Sequence, residues 1–162
     1  MINELKTKPM EILLVEDGLT DAKMTIFAVR RSQVHHRLTL MRTVKQANRF
    51  LQCETIYSQA PTPDLILLDL MLPDGNGLEI LEVVNQWEKK HRPTVVALTA
   101  SDDSSLRDRC QAMGIHDYMK KPVHEREFMR VIRDHKKLMI HSTPLLSKSN
   151  ALSFKLNSTC TH

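Results

Sequence analysis

Three short aliphatic runs constrain the fold of this chain more than any other feature. They lie at residues 11–15, 64–69 and 94–99, and each is bounded by polar residues. Continuous aliphatic runs of this length are typical of strands that are buried on both faces, as in a parallel sheet. Weaker strand patterns at residues 37–43 and 117–119 suit the edges of such a sheet.

Amphipathic patterns between these strands predict five helices. Thr20 or Asp21 is expected to cap the first helix, and Gly114 to end the fourth. The apolar positions predicted to face the core are, helix by helix, Ala22, Ile26 and Val29; Val44, Ala47 and Leu51; Leu78, Leu81 and Val84; Leu106, Cys110 and Met113; Phe128, Val131 and Ile132. Five strands that alternate with five helices predict a doubly wound α/β sheet.

The length of 162 residues suits one domain, which we expect at residues 10–141. Residues 1–9 form an N-terminal segment, and residues 142–162 form a tail that contains no acidic residue. The composition of that tail predicts flexibility, although a period-two pattern at residues 152–156 would also suit an added strand. We expect no further output domain.

Charge and apolar content exclude several classes of function. The net charge is +4, and basic residues are interleaved with acidic ones, which favours solvated helix faces over a direct nucleic-acid interface. Three cysteines occur singly, so neither a disulfide framework nor a zinc site is expected. No apolar run suits a membrane span and the N-terminus is no signal peptide, which predicts a cytoplasmic protein.

Polar groups follow the strands at the end of the sheet where ligands gather in parallel α/β folds. Glu16 and Asp17 follow the first strand, Asp69 and Thr99 end the third and fourth, and Lys121 follows the fifth. Clustered carboxylates repel one another unless a cation lies among them, and Mg²⁺ prefers such oxygen ligands. A lysine and a hydroxyl beside them suit a phosphoryl group. The pattern predicts phosphoryl transfer onto an aspartate.

Residues 10–140 resemble the receiver domains of response regulators in bacterial two-component signalling. Four short motifs in order and at matching intervals carry the resemblance: Leu-Val-Glu16-Asp17; Leu-Leu-Asp69-Leu-Met-Leu-Pro73 with Gly77; Leu-Thr99-Ala100; and Tyr118-Met-Lys-Lys121-Pro122. The resemblance implies a flavodoxin-like (βα)5 fold with strand order 2-1-3-4-5.

The same resemblance assigns roles to the acidic residues. It implies that Asp69 is the phosphoacceptor and that Asp17, with Glu16, holds Mg²⁺ together with Asp69. The backbone carbonyl of Met71 would be a further metal ligand. An acidic pair of the Glu-Asp kind, rather than Asp-Asp, is common in the family and keeps the charge.

The resemblance also implies a switch. Thr99 would move towards the aspartyl phosphate, Tyr118 would rotate inward, and Lys121 would contact the phosphoryl group. The peptide bond between Lys121 and Pro122 would be cis, as is typical of the family. Partners would then read the face formed by the fourth helix, fifth strand and fifth helix.

The expected partners are a sensor histidine kinase, which donates the phosphoryl group, and a downstream protein target. The chain looks most like stand-alone regulators, one group of which is paired with phytochrome-type kinases. The resemblance implies a signalling module and not an enzyme. A homodimer is a further expectation, through the fourth-to-fifth helix face.

Three alternatives stay open at this point. A phosphatase of the haloacid-dehalogenase type also uses an aspartate at a strand end, but it needs a second acid two residues later, where this chain has Met71. A receiver that acts by contact without phosphorylation would retain the fold alone. An oligomeric scaffold could use charged residues of the last two helices, namely Arg107, Asp108, Arg109, Arg130 and Asp134.

Overall fold

The chain folds as strands that alternate with helices, and a computed structural model describes residues 8–102 and 104–141. The strands are β1 (Met10–Val15), β2 (His36–Met41), β3 (Leu65–Asp69), β4 (Met71–Leu72), β5 (Gly75–Asn76), β6 (Thr94–Thr99) and β7 (Asp117–Lys120). The helices are α1 (Leu19–Arg31), α2 (Val44–Leu51), α3 (Glu79–Asn85), α4 (Ser104–Ala112), α5 (Glu125–Asp134) and α6 (Lys136–Met139), with 3-10 turns at Thr55–Tyr57 and Lys89–His91. The predicted tail and its period-two segment lie outside the described residues.

Five strands form one parallel sheet in the order β2-β1-β3-β6-β7, which confirms the predicted flavodoxin-like order. All residues of β1, β3 and β6 are buried, as their aliphatic runs predicted. The two strands with weaker patterns, β2 and β7, are the sheet edges, also as predicted. The short antiparallel pair β4–β5 was not predicted, because two-residue strands leave no periodic signal.

Apolar side chains fill both faces of the sheet. One layer of core packs the sheet against α2, α3 and α4, and the other packs it against α1, α5 and α6. Neighbouring residues of β1 and β3 belong to opposite layers, because successive side chains of a strand point to opposite faces. This arrangement confirms the doubly wound α/β class and leaves the carboxyl ends of the strands free for a site.

Two local predictions were wrong. Helix α1 is capped at Gly18 and not by the side chain of Thr20 or Asp21, because the Gly18 carbonyl already accepts the first helical bond at 2.9 Å. Met113 is 42% exposed and lies outside the core, because α4 ends one residue before it. The chain then turns at Gly114, whose φ of +97° favours glycine.

None of the helices in the described parts of the chain has the length and apolar character needed to cross a membrane.

Candidate functional site

Asp69 lies at the carboxyl end of β3, where the backbone leaves the sheet. Its side chain is 7% exposed, and its two oxygens have different partners. Oδ1 accepts a hydrogen bond from the Met71 backbone amide at 2.9 Å, and Oδ2 lies 3.0 Å from Nζ of Lys121. Gly77 packs against this turn so closely that a Cβ there would lie 2.6 Å from the Asp69 carbonyl oxygen. The carboxylate is therefore fixed by contacts on both sides.

Glu16 and Asp17 follow β1, the neighbour of β3. Glu16 is 1% exposed, and its Oε1 accepts a hydrogen bond from the Gly18 amide at 3.1 Å. Carboxylate oxygens of Glu16, Asp17 and Asp69 lie within 4.8 Å of one another. Burial raises the pKa of Glu16, and the proximity of Asp69 raises it further. The predicted acidic residues therefore form one cluster in which negative charges repel.

The acidic cluster fits a hard divalent cation. All of its donors are carboxylate oxygens, the ligand type that Mg²⁺ prefers. Buried Oε2 of Glu16 lies 2.8 Å from Nζ of Lys121 in an ion pair, and no other donor in the described residues contacts it. A carboxylate oxygen can accept more than one contact, so this oxygen can also coordinate a metal ion. The backbone amide of Met71 is held by Asp69, and its carbonyl stays a predicted ligand.

Lys121 is the cation of the cluster. The peptide bond between Lys121 and Pro122 is cis. Its Nζ lies 2.8 Å from Glu16, 3.0 Å from Asp69 and 3.4 Å from Asp21. Burial alone would lower the pKa of Lys121, but the hydrogen bonds and charges of Glu16 and Asp69 outweigh it and raise that pKa above its ordinary value. The lysine is therefore fully charged at neutral pH.

Thr99 ends β6 beside β3. It is 8% exposed, and its hydroxyl is engaged with the loop that follows. Oγ1 donates to the Ser101 carbonyl at 3.2 Å and accepts from the Ser101 amide at 3.1 Å. The hydroxyl would have to leave at least one of these bonds before it could reach a ligand on Asp69.

Tyr118 lies on the edge strand β7 and points towards α4. Its hydroxyl donates to the backbone carbonyl of Arg107, whose guanidinium lies 5.7 Å from the centre of the tyrosine ring. On the other side, Arg130 of α5 donates to the Tyr118 carbonyl at 2.8 Å and pairs with Asp117 at 3.0 Å. Tyr118 therefore links α4, β7 and α5.

Three contacts near the site were missed by sequence reasoning. Asp21 of α1 lies 3.4 Å from Nζ of Lys121, a residue 100 positions away. Asp74 accepts hydrogen bonds from the first two amides of α2, at 2.8 and 3.0 Å. Arg42 donates to the Asp17 carbonyl at 2.7 Å. The last two contacts join residues that are 25 to 30 positions apart, so no local pattern could indicate them.

Comparison with known proteins adds a family and its relatives. Residues 12–133 match the family described as "Response regulator receiver domain". The response regulator Rcp1 of Synechocystis sp. (strain ATCC 27184 / PCC 6803 / Kazusa) is 31% identical over 125 residues, which cover 77% of this chain and 85% of Rcp1. The Mn²⁺-bound crystal structure of Rcp1 is 30% identical, with a TM-score of 0.65, and covers 82% of this chain and 95% of that one.

Two further solved structures extend the likeness. The bacteriophytochrome response regulator RtBRR is 33% identical, with a TM-score of 0.70, over 81% of this chain and 78% of its own. The second is the receiver domain of the sensor histidine kinase PA1611 from Pseudomonas aeruginosa PAO1, with magnesium coordinated in its active site cleft. It is 28% identical, with a TM-score of 0.62, and covers 78% of this chain and 97% of that one. With its acidic cluster, lysine and strand order, this chain belongs to the response regulator receiver domain family of two-component signalling, among relatives of the phytochrome-associated group.

Proposed function

We propose that this receiver accepts a phosphoryl group on Asp69 from a sensor histidine kinase and passes the signal on by protein contact. One observation carries the proposal: a buried carboxylate at a strand end lies 3.0 Å from a charged lysine and beside two further carboxylates. We place the receiver domain at residues 10–141, with segments 1–9 and 142–162 outside it. Its role is that of a signalling module, in which the chemistry is confined to its own phosphorylation.

The proposed reaction transfers a phosphoryl group from a histidine nitrogen of the kinase to an oxygen of Asp69. A carboxylate oxygen of Asp69 forms the new bond to phosphorus, the bond to the histidine nitrogen of the kinase breaks, and the imidazole keeps that electron pair. Lys121 is placed to bind a phosphoryl oxygen and to offset its charge. Mg²⁺, held by Glu16, Asp17, Asp69 and the Met71 carbonyl, would neutralise further charge on the transferring group.

The proposed switch exchanges existing hydrogen bonds for new ones. Thr99 would give up its bonds with Ser101 to donate to the phosphoryl group. Tyr118 would give up its bond to the Arg107 carbonyl and rotate inward. Because these bonds join β6 and β7 to the α4 side, their loss would change the face formed by α4, β7 and α5. A downstream protein, or a second copy of the chain, would read that face.

We further propose a phytochrome-type sensor kinase as the phosphoryl donor, and the cytoplasm as the place of the exchange. Support comes from the likeness to Rcp1 and to the bacteriophytochrome response regulator RtBRR, each at least 31% identical. A phosphotransfer assay with a purified phytochrome-type kinase and an unrelated sensor kinase tests the partner. Faster transfer from the phytochrome-type kinase is expected, and preference for the unrelated sensor would refute this choice.

The acceptor is tested by intact-mass analysis after incubation with acetyl phosphate and Mg²⁺. The parent chain is expected to gain one phosphoryl group, and Asp69→Asn and EDTA-treated protein are expected to gain none. Asp64→Asn is the matched control, because Asp64 precedes the same strand at its opposite end and lies outside the acidic cluster. Phosphorylation of the Asp69→Asn variant would refute Asp69 as the acceptor. If the folded parent gains no phosphoryl group with Mg²⁺ present, the proposal is refuted and a receiver that acts by contact alone is favoured.

A further inference from the structure

The end of the sheet opposite to Asp69 carries a groove, which we call the basal groove. It runs past the amino-terminal ends of β3, β6 and β7 as three depressions of about 280, 380 and 430 Å³. The first two share Pro63 and His91, and the second and third share Arg92 and Lys137. The three depressions therefore form one continuous surface rather than separate pockets.

Positive charge dominates two of the three depressions. Their Lys and Arg residues are Lys8, Lys89, Lys90, Arg92, Lys136 and Lys137, against the carboxylates of Asp64 and Asp134. Both carboxylates already have partners: Asp134 pairs with Arg130 at 3.1 Å, and Asp64 accepts the Glu11 amide at 2.8 Å. Within residues 8–102 and 104–141, Lys89, Lys136 and Lys137 form no ion pair. These exposed ammonium groups are available to a ligand.

The remaining depression is lined by no lysine or arginine and by several apolar side chains. Phe50, Leu51, Pro61 and the half-buried Trp87 line it. Its charged residue Glu88 is paired with Lys90 at 3.1 Å. This end of the groove fits an apolar side chain, while the other two depressions fit carboxylates.

We propose that the basal groove binds an extended acidic segment of a partner protein. An apolar side chain of that segment lies at Trp87, and its carboxylates lie at Lys89, Lys136 and Lys137. Charge complementarity and the continuity of the groove favour this occupant. The free ammonium groups belong to two separate elements, the 3-10 turn at Lys89–His91 and α6, which suits several separated charges better than one compact anion.

The chain's own residues 142–162 are a poor match for the groove. They contain Lys148 and Lys155 and no acidic residue, so their charge has the wrong sign. We therefore assign the acidic segment to a partner protein rather than to residues 142–162.

The basal groove is separated from the phosphorylation site by the length of the sheet. The central strands contain five or six residues, which corresponds to roughly 17–20 Å at about 3.3 Å per residue. This distance exceeds the Debye length of about 8 Å at physiological salt. A segment bound in the groove therefore does not contact a phosphoryl group on Asp69, and direct charge coupling between the two sites is screened.

The test measures fluorescence anisotropy of a short labelled peptide in which a leucine precedes a run of glutamates. The full-length parent is compared with Lys136→Glu/Lys137→Glu and with Lys23→Glu/Arg126→Glu, a control with the same change in net charge on other exposed surfaces. We expect about tenfold weaker binding for the first variant and little change for the control. Replacing leucine by serine in the peptide, or raising salt, is expected to weaken binding to the parent.

Several outcomes would overturn the proposal. Equal loss of binding in both variants would indicate non-specific charge attraction. A peptide with lysines in place of the glutamates that binds the parent as tightly as the glutamate peptide would exclude charge recognition. Binding of inorganic polyphosphate or a short oligonucleotide in preference to the glutamate peptide would assign the groove to a phosphate-bearing ligand. Circular dichroism verifies that both variants are folded, so failure of the groove is distinguished from failure of the phosphoacceptor.

Discussion

Replacing Lys121 by methionine removes the ammonium group that contacts Glu16 and Asp69. At about 3 Å and an effective dielectric constant near 20, each of these contacts is worth about 5 kcal/mol of attraction before desolvation is subtracted. The variant leaves both buried carboxylates uncompensated, and breaking a buried ion pair in this way costs about 3–5 kcal/mol. We therefore expect the metal-free variant to unfold about 10 °C or more below the parent.

The loss of stability in this variant should depend on pH in a defined direction. Burial already raises the pKa of Glu16, and the hydrogen bond from Lys121 opposes that rise. Without the lysine, the folded-state pKa of Glu16 rises further above its unfolded value. Protonation then favours the folded state, so the deficit is full above the folded-state pKa and shrinks as the pH falls through it.

The assay is thermal and urea unfolding followed by circular dichroism, in EDTA, at neutral and at mildly acidic pH. Lys120→Met is the matched control, because its side chain is 57% exposed and its ammonium group pairs with Asp102 at the surface, where solvent screens the pair. Addition of Mg²⁺ is expected to recover part of the stability of Lys121→Met. Equal stability of the two variants in EDTA, or a deficit that grows towards acidic pH, would refute the reasoning.

Three further substitutions test contacts around the site. Asp74→Ala removes the carboxylate that holds the first two amides of α2 and should lower the free energy of unfolding by about 1 kcal/mol, measured in urea. Gly77→Ala places a Cβ 2.6 Å from the Asp69 carbonyl oxygen and should slow phosphorylation by acetyl phosphate, whereas an unchanged rate would show that the turn adapts. Asp117→Asn replaces an acid with a lowered pKa. Burial would raise the pKa of Asp117, but its hydrogen bonds, above all the one from Arg130, outweigh burial and lower that pKa. The stability that Asp117 contributes is present above its unfolded-state pKa and is lost as pH falls through the lower folded-state pKa, so the variant should lack that part of the acid-induced decline in unfolding titrations.

The central sheet and the positions of the site residues were predictable from sequence because each depends on short-range signals. The runs that became β3 and β6 could be buried only between other strands, and the polar residues that end them had to meet at one edge. The convergence of Glu16, Asp69 and Lys121 then follows from strand order alone. The resemblance to receivers added the strand order and the roles of these residues, and the structure added their distances.

The contact of Asp74 with the start of α2 and the basal groove could not be predicted, because each depends on contacts between distant segments. Asp74 accepts a hydrogen bond from the Val44 amide across 30 positions, and no periodic pattern connects the two. The basic residues of the basal groove are interleaved with acids along the chain, which led to the expectation of solvated helix faces. Folding separates the two signs, since Asp64 and Asp134 become engaged while Lys89 stays unpaired within the described residues.

The side-chain positions of Thr99 and Tyr118 were unpredictable for a different reason. A sequence specifies which groups can form hydrogen bonds, but in the switch that we propose each residue has two sets of partners, and only one set is made at a time. Here Thr99 bonds to Ser101 and Tyr118 bonds to Arg107, so both hydroxyls are engaged by groups other than Asp69. Because these bonds are local and few, exchanging them for bonds made by a phosphoryl group costs little net free energy. One covalent modification can therefore drive the switch that we propose, while the buried strand β3, which ends at Asp69, stays in place.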